Sequence, residues 1–108
     1  MLPKKKRLSR EEFNRFFSLG KRTHTVHTTI VYVPHPTLHA SVVVSKKVST
    51  RAVVRNKVRR RIYDIVKNYE RKEGVVGVFI FLTKKGVERL PYHALKEEVD
   101  GRLRTITH

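Results

Sequence analysis

The stretch "SKKVSTRAVVRNKVRRR", from Ser45 to Arg61, contains eight lysines or arginines, no acid, and five valines or alanines. From within it, apolar residues recur at helical spacing and fall within about 120° of arc at 100° per residue. These residues are Val54, Val58, Ile62, Ile65, Val66 and Tyr69. The pattern predicts one long helix from about Thr50 to Lys72, closed by Gly74, with a buried apolar stripe and a cationic outer surface.

The charge at the start of this helix is the reverse of the usual one. A helix N-terminus carries partial positive charge, and each cation misplaced there costs roughly 0.3–1 kcal/mol at low salt. The arrangement becomes favourable when an anion docks at the free N–H groups, and an extended set of cations matches a row of phosphates. The candidate residues for binding nucleic acid are Lys46, Lys47, Arg51, Arg55, Asn56, Lys57, Arg59, Arg60 and Arg61.

Two further roles for the basic helix stay open from the residues alone. One is a solubilising face, although such faces usually mix both signs of charge. The second is a helix lying on an anionic membrane, but the predicted strands and final helix need its apolar stripe as a core partner. We therefore favour nucleic acid as the partner, and expect neither a membrane nor a small-molecule substrate.

The bulk composition sets the class of protein. The 108 residues predict a single nucleic-acid-binding domain, 1–108, with a flexible basic arm at 1–7, and the net charge is +16. Residues 1–61 hold sixteen Lys or Arg against two acids, whereas 62–108 hold nine against seven. The absence of cysteine excludes disulfides and cysteine–zinc sites and fits a cytoplasmic protein. We expect no secretory signal, because no apolar segment follows the first basic residues.

The other segments predict an α+β protein of order α-β-β-α-β-α, a two-layer α/β sandwich with one layer of sheet and one of helix. Ser9 and Glu12 form a capping box for the first helix, which Gly20 is placed to end. Strands are predicted at 23–34, 39–45 and 75–85. A final helix begins near Pro91 with the apolar stripe Tyr92, Leu95, Val99, Leu103 and Ile106, and Asp100-Gly101 weakens its second half.

The quoted segment resembles the signature of the bacterial ribonuclease P protein subunit. In that family a strand ends in S-K-K, and a short loop leads to A-V-x-R-N-x-x-K/R-R at the start of a long helix. The matching positions are Ala52, Val53, Arg55, Asn56, Arg59 and Arg60. Residues 7–22 are similar to the family's first helix, with Phe13 and Phe17 at its paired aromatic positions. Tyr32 matches the aromatic position of the first long strand. The chain departs from the family's usual Arg, then Glu or Gln, at Tyr63 and Asp64.

The resemblance implies a fold and a function. The fold is ribosomal protein S5 domain 2-like, with a left-handed β-α-β crossover where the general rule favours a right-handed one. The function is that of the small subunit of a ribonucleoprotein that removes the 5′ leader from precursor tRNA. Mg²⁺ and the chemistry are expected in the RNA subunit, with no cofactor bound by the protein alone. The implied partners are ribonuclease P RNA and the leader, the latter held in a cleft by Phe13, Phe17, Arg22 and Tyr32.

Alternatives remain for the class of protein and for its sites. A general RNA-binding or ribosome-associated protein, without a role in leader cleavage, would share most of these features. Core packing is the alternative role for the aromatic residues, and Phe16 is predicted to be core. His24 with His27, and His35 with His39, have loosely ligand-like spacing, but no cysteine supports a zinc site and we predict no metal. The nine acids are scattered, so we predict no catalytic residue.

Overall fold

The computed structural model describes residues 6–107, in which three α-helices pack around one four-stranded sheet. In chain order the elements are α1 (Arg10–Leu19), β1 (Lys21–His24), β2 (Thr28–Val33), β3 (Leu38–Val43), α2 (Ala52–Glu73), β4 (Gly77–Thr83), a short 3-10 helix (Val87–Arg89) and α3 (Tyr92–Thr107). Within residues 6–107 there is no helix with the length and apolar character that a membrane span requires.

The sheet has the order β1-β2-β4-β3. The pairs β1–β2 and β2–β4 are antiparallel, whereas β3 and β4 are parallel, so the chain crosses over from β3 to β4 through α2. This confirms the α+β class and the β-α-β unit around the long helix. The left hand of that crossover stays a prediction from the resemblance.

The sheet contains one strand more than the sequence predicted. The strand expected at 23–34 is two strands, β1 and β2, joined by a turn at 25–27. A carboxylate from α3 holds that turn, since Glu98 Oε2 accepts hydrogen bonds from Thr25 Oγ1 at 2.8 Å and from the His27 N–H at 3.0 Å. The alternating pattern runs through the turn without a Gly or Pro, so the break was not visible in the sequence.

One face of the sheet, the α2–α3 face, carries the main core. Ile30, Phe79 and Phe81 point into it and are buried against the apolar stripes of α2 and α3. The predicted stripe of α3 is confirmed, and that of α2 is confirmed from Val58 to Tyr69, whereas Val54 is only partly buried. Gly74 ends α2 in the left-handed conformation at φ 62°, as predicted. α3 continues through Asp100, whose buried carboxylate pairs with Lys96 at 2.7 Å one turn earlier.

The opposite face of the sheet, the α1 face, is partly covered by α1. Phe16 is 7% exposed and packs on Val31, Val78 and Ile80, which confirms it as a core residue. The predicted two-layer sandwich therefore describes α2, α3 and the sheet, and α1 adds a further layer. The Ser9–Glu12 capping box is present, and Gly20 follows α1 as predicted. A Cβ at Gly20 would lie 2.2 Å from Val31 Cγ1, so this close approach of helix end to sheet requires glycine.

The beginning of the chain differs in part from the flexible arm that was expected. Residues 1–5 of that arm lie outside the described residues. Lys6 Nζ lies 2.9 Å from both carboxylate oxygens of Glu70 on α2, and Arg7 forms a bridge to Ala40 of β3. Both residues are therefore docked on the domain.

Candidate nucleic-acid interface

The basic segment, residues 46–61, runs from the loop after β3 into the first half of α2. Val48 is buried and anchors the loop, while Lys46, Lys47 and Arg51 are exposed. Arg51 precedes the helix without a side-chain capping bond, and there is no acid in the first turn. The helix N-terminus therefore presents its unpaired N–H groups beside three exposed cations, a favourable arrangement for binding an anion.

The cations of the basic segment are not neutralised by acids. Among residues 6–107, the salt bridges join Lys6 to Glu70, His27 to Glu98, and Lys96 to Asp100, and none includes a residue of this segment. Arg55 donates to the Ser49 carbonyl at 3.0 Å, and Arg59 donates to Asn56 Oδ1. These bonds orient the two guanidinium groups while leaving their charge uncompensated.

Four residues of the motif line one shallow cavity of about 460 Å³ on the surface of α2. They are Val53, Asn56, Arg59 and Arg60. Val53 is 70% exposed although it is apolar. The predicted residues Asn56, Arg59 and Arg60 are thus brought together on one side of the helix, with an apolar contact surface among them.

Arg61 lies apart from this group. Its guanidinium donates to the Leu90 carbonyl at 3.0 Å and ties α2 to the segment before α3. Lys57, one turn earlier on the same side of α2, is exposed. An RNA contact by Arg61 stays a prediction, but its guanidinium already has a partner inside the protein.

The chain departs from the family motif at Tyr63 and Asp64, and the structure gives a reason for the departure at Tyr63. Tyr63 is buried, and its hydroxyl accepts the Val42 N–H at 3.2 Å on the outer edge of β3. The ring is therefore part of the core and not of the basic surface. Asp64 is exposed.

Three of the four predicted leader-binding residues come together on the α1 face. Phe13 and Phe17, the aromatic pair, are partly exposed and stack with ring centroids 5.6 Å apart and planes 19° from parallel. The guanidinium carbon of Arg22, on β1, lies 4.4 Å from the centroid of the Phe17 ring. Stacked rings beside a cation are the usual means of holding unpaired bases.

The prediction that Tyr32 shares this groove is wrong. Tyr32 follows Val31 on β2, and adjacent side chains on a strand point to opposite faces of the sheet. Val31 packs under α1, whereas the Tyr32 ring lies 5.1 Å from Phe79 on the α2–α3 face. The sheet therefore separates Tyr32 from the aromatic pair.

A row of side chains crosses the α1 face beside the aromatic pair, and sequence reasoning missed it; the aromatic pair, Arg22 and this row together are the surface of the predicted leader cleft. The strand register aligns His24, Thr29, Leu82 and Val43 from β1 to β3. Three strand spacings make this row about 14 Å long. Leu82 packs on the same cluster as the aromatic pair, and the chain continues from Val43 directly into the basic segment. Alternation indicates which residues share a face, but it does not identify the neighbouring strands.

The four histidines with loosely ligand-like spacing have contacts within the protein. His24 bonds Thr29 Oγ1 at 2.9 Å, and the His35 and His39 rings meet edge-on at 4.9 Å. Within residues 6–107 there is no group of three or more His, Asp or Glu residues placed to hold a metal ion. We assign no chemical step to a metal on this chain.

Known proteins are similar to this chain in sequence and in structure. The family described as Ribonuclease P matches residues 2–107. The ribonuclease P protein component of Streptococcus agalactiae is 32% identical over 94 residues, which cover 84% of each chain. The RNase P protein of Staphylococcus aureus aligns with a TM-score of 0.82 at 18% identity, covering 94% of both chains. That of Thermotoga maritima has a TM-score of 0.78 at 21% identity and covers 92% of this chain and 96% of its own. The fold is that of the RNase P proteins, and the chain belongs to the ribonuclease P protein family.

Proposed function

We propose that this chain binds the catalytic RNA of ribonuclease P through its basic segment and the 5′ leader of precursor tRNA through the cleft on the α1 face. Membership of the family supports a role in tRNA processing. The observation that carries the RNA contact is the set of uncompensated cations at the N-terminus of α2.

The basic segment suits the binding of an RNA backbone. Lys46, Lys47 and Arg51 surround the first turn of α2, whose N–H groups can donate to phosphate oxygens. Arg55 and Arg59 extend the same charge along the helix. Contacts of this kind orient an RNA without reading its sequence. They would hold the protein on one structured region of the catalytic RNA.

The cleft suits a single strand. The aromatic pair offers ring faces to unpaired bases, and Arg22 lies beside them for a phosphate. Because the cleft ends where the basic segment begins, one protein can hold the leader next to the catalytic RNA. The protein's part is binding, orientation and screening of phosphate repulsion. We propose that Mg²⁺ and the cleavage chemistry belong to the RNA, and that the assembly acts in the cytoplasm.

The test is leader cleavage by refolded ribonuclease P RNA at a magnesium concentration too low for the RNA alone. We expect the protein to restore cleavage of precursor tRNA. The double variant Arg55→Ala/Arg59→Ala should restore it far less at equal protein concentration. The matched control Lys67→Ala/Arg71→Ala removes two exposed cations further along the same helix and should behave as the unaltered protein does.

The rival function is general RNA binding without a role in leader cleavage. It predicts that the RNA is bound tightly, and that none of the three proteins, the unaltered one and the two double variants, affects leader cleavage. That outcome, with circular dichroism showing all three folded, would overturn the proposal.

A further inference from the structure

The placement of Tyr32 on the α2–α3 face gives its ring a cavity of its own. This Tyr32 cavity, of about 400 Å³, lies between β1, β2 and the second half of α3. It is lined by Lys21, Thr23, Tyr32, Arg102, Thr105 and Ile106. Its volume lies within the range of small-ligand sites, about 300–1,000 Å³. The whole sheet separates it from the aromatic pair, so it is not part of the cleft described above.

The Tyr32 ring is held in place before any ligand arrives. It packs on Phe79 at 5.1 Å with the ring planes 39° apart. A Cβ at Gly77 would lie 2.6 Å from Tyr32 Cε1, and Gly77 has φ 127°, so only glycine leaves room for the ring. The ring is nevertheless only partly buried. It therefore presents a fixed aromatic surface to the cavity at little cost in side-chain entropy.

The charge of the cavity selects an anion. Lys21 is the direct cross-strand partner of Tyr32, so both side chains lie on the same face of the sheet, and Arg102 approaches from α3. No acid lines the cavity, and neither cation takes part in the salt bridges found among residues 6–107. A second, smaller cavity of about 260 Å³ adjoins Tyr32 but is lined by Glu73. An anionic group is therefore favoured at Lys21 and Arg102.

We propose that the Tyr32 cavity binds one unstacked nucleotide of single-stranded RNA. The base lies against Tyr32, and the phosphate lies between Lys21 and Arg102. The Thr23 hydroxyl is available to the sugar or base edge, and the Thr105 hydroxyl, which donates to the Gly101 carbonyl at 3.0 Å, can still accept a hydrogen bond. An aromatic ring beside cations is the usual platform for an unpaired nucleotide. The inference rests on the proposed RNA-binding function, and it places a second RNA contact on the face of the sheet opposite the aromatic pair.

The first experiment is a titration of the ¹⁵N-labelled protein with uridine 5′-monophosphate, followed by amide chemical shifts. We expect saturable shifts at Lys21, Tyr32 and Arg102. The variant Lys21→Gln/Arg102→Gln should weaken this binding about five-fold or more, because hydrogen bonds between charged groups and the phosphate are lost. The control Lys85→Gln/Arg104→Gln removes two exposed cations outside the cavity and should leave it unchanged. The inference would be overturned if both variants lost affinity for uridine 5′-monophosphate equally. It would also be overturned if the amide shifts were confined to the aromatic pair and the start of α2.

The second experiment tests the ring itself. Tyr32→Phe keeps the stacking surface and should retain uridine 5′-monophosphate binding, whereas Tyr32→Leu keeps apolar volume but removes the plane and should lose it. Melting temperatures show whether each variant folds. If Tyr32→Leu does not fold, the variant Lys21→Gln/Arg102→Gln and its control still test whether the cavity binds the nucleotide. Binding of ribonuclease P RNA is measured in parallel. If the unaltered protein did not bind ribonuclease P RNA, the proposed function would be wrong. If it bound this RNA but the amide chemical shifts of the cavity residues did not change on titration with uridine 5′-monophosphate, only this inference would be wrong.

Discussion

At the scale of single residues, Phe17 is where base stacking and core packing can be told apart. Its ring stacks on Phe13, lies under the Arg22 guanidinium and is partly exposed, whereas Phe16 in the same helix is buried. We predict that Phe17→Ala weakens binding of precursor tRNA with a long leader by about five-fold or more, because one stacked base contributes roughly 1–3 kcal/mol. Binding of mature tRNA should change little.

The measurement is the ratio of precursor to mature affinity, taken beside the melting temperature. Phe16→Ala is the matched control, since truncating a core Phe costs about 3–5 kcal/mol of folding stability and harms both ligands alike. If Phe17→Ala lowered the melting temperature in the same way and left the ratio unchanged, Phe17 would be a core residue only.

Glu98 is a residue whose ionisation supports the fold. Burial raises the pKa of its carboxyl, but hydrogen bonds from His27 and Thr25 outweigh burial and hold the pKa below its ordinary value. A lowered folded-state pKa means that the stabilisation is present above the unfolded-state pKa of about 4.3 and is lost as the pH falls through the folded-state value. The carboxylate therefore stabilises the β1–β2 turn at neutral pH.

We predict that Glu98→Gln lowers the free energy of unfolding at pH 7 by about 1–3 kcal/mol, because bonds to a charged acceptor are replaced. The difference from the unaltered protein should narrow as the pH falls towards 3. Urea unfolding at both pH values checks this, with Glu97→Gln, an exposed neighbour on α3, as the control. A constant difference at both pH values would mean that the charge of Glu98 is not what holds the turn.

At the scale of elements, α2 has two surfaces with different roles. Its apolar stripe, including Val58, Ile62 and Val66, is buried against the sheet and α3. Its first half carries the basic segment on the remaining surface. The adjacent residues Arg60 and Arg61 lie on different sides of the helix, since Arg60 lines the motif cavity and Arg61 bonds the Leu90 carbonyl. The two arginines therefore allow the two roles of α2 to be separated.

We predict opposite effects for Arg60→Ala and Arg61→Ala. Arg60→Ala should weaken binding of ribonuclease P RNA while leaving the unfolding free energy unchanged within about 0.5 kcal/mol, as is usual for surface substitutions. Arg61→Ala should lower that free energy by about 1 kcal/mol, since a partly buried hydrogen bond is lost, and weaken RNA binding less. Chemical unfolding and RNA titration of both variants are the check. If the two variants lost RNA affinity equally and had equal unfolding free energies, the bond between Arg61 and the Leu90 carbonyl would contribute nothing to stability.

At the scale of the whole molecule, charge is distributed unevenly over a small domain. The net charge of +16 is concentrated in residues 1–61, and few of these cations are paired with acids among residues 6–107. A folded protein with this much like charge repels itself and favours an anionic partner. RNA binding should therefore depend strongly on salt, because neutralising phosphates releases their counterions.

We predict that the affinity for RNA falls with salt as expected for about six to eight phosphate contacts. The slope of log K against log salt is near −0.9 per contact on a duplex, and is shallower on single strands. Titrations at several salt concentrations measure it. A slope shallower than about −2 would contradict an extended contact with the RNA backbone.

The sequence by itself determined those features that depend on neighbouring residues. The apolar stripe and glycine end of α2, the Ser9–Glu12 capping box, the buried Phe16 and the cation-rich start of α2 were all predicted and are confirmed. Helical periodicity, capping and charge patterning involve residues within a turn or two of each other, so the chain specifies them locally.

Only the tertiary structure decided features that depend on distant partners. Glu98 turns the chain at His27 from 71 positions away, and Arg61 finds a carbonyl 29 positions away. A strand's side chains alternate between two faces, and a shift of one residue moves a side chain to the other face. The resemblance placed Tyr32 with Phe13 and Phe17, but the packing of Val31 under α1 puts the Tyr32 ring on the opposite side. Which face of β2 is covered by which helix depends on the packing of the whole domain and is not contained in the pattern of the strand.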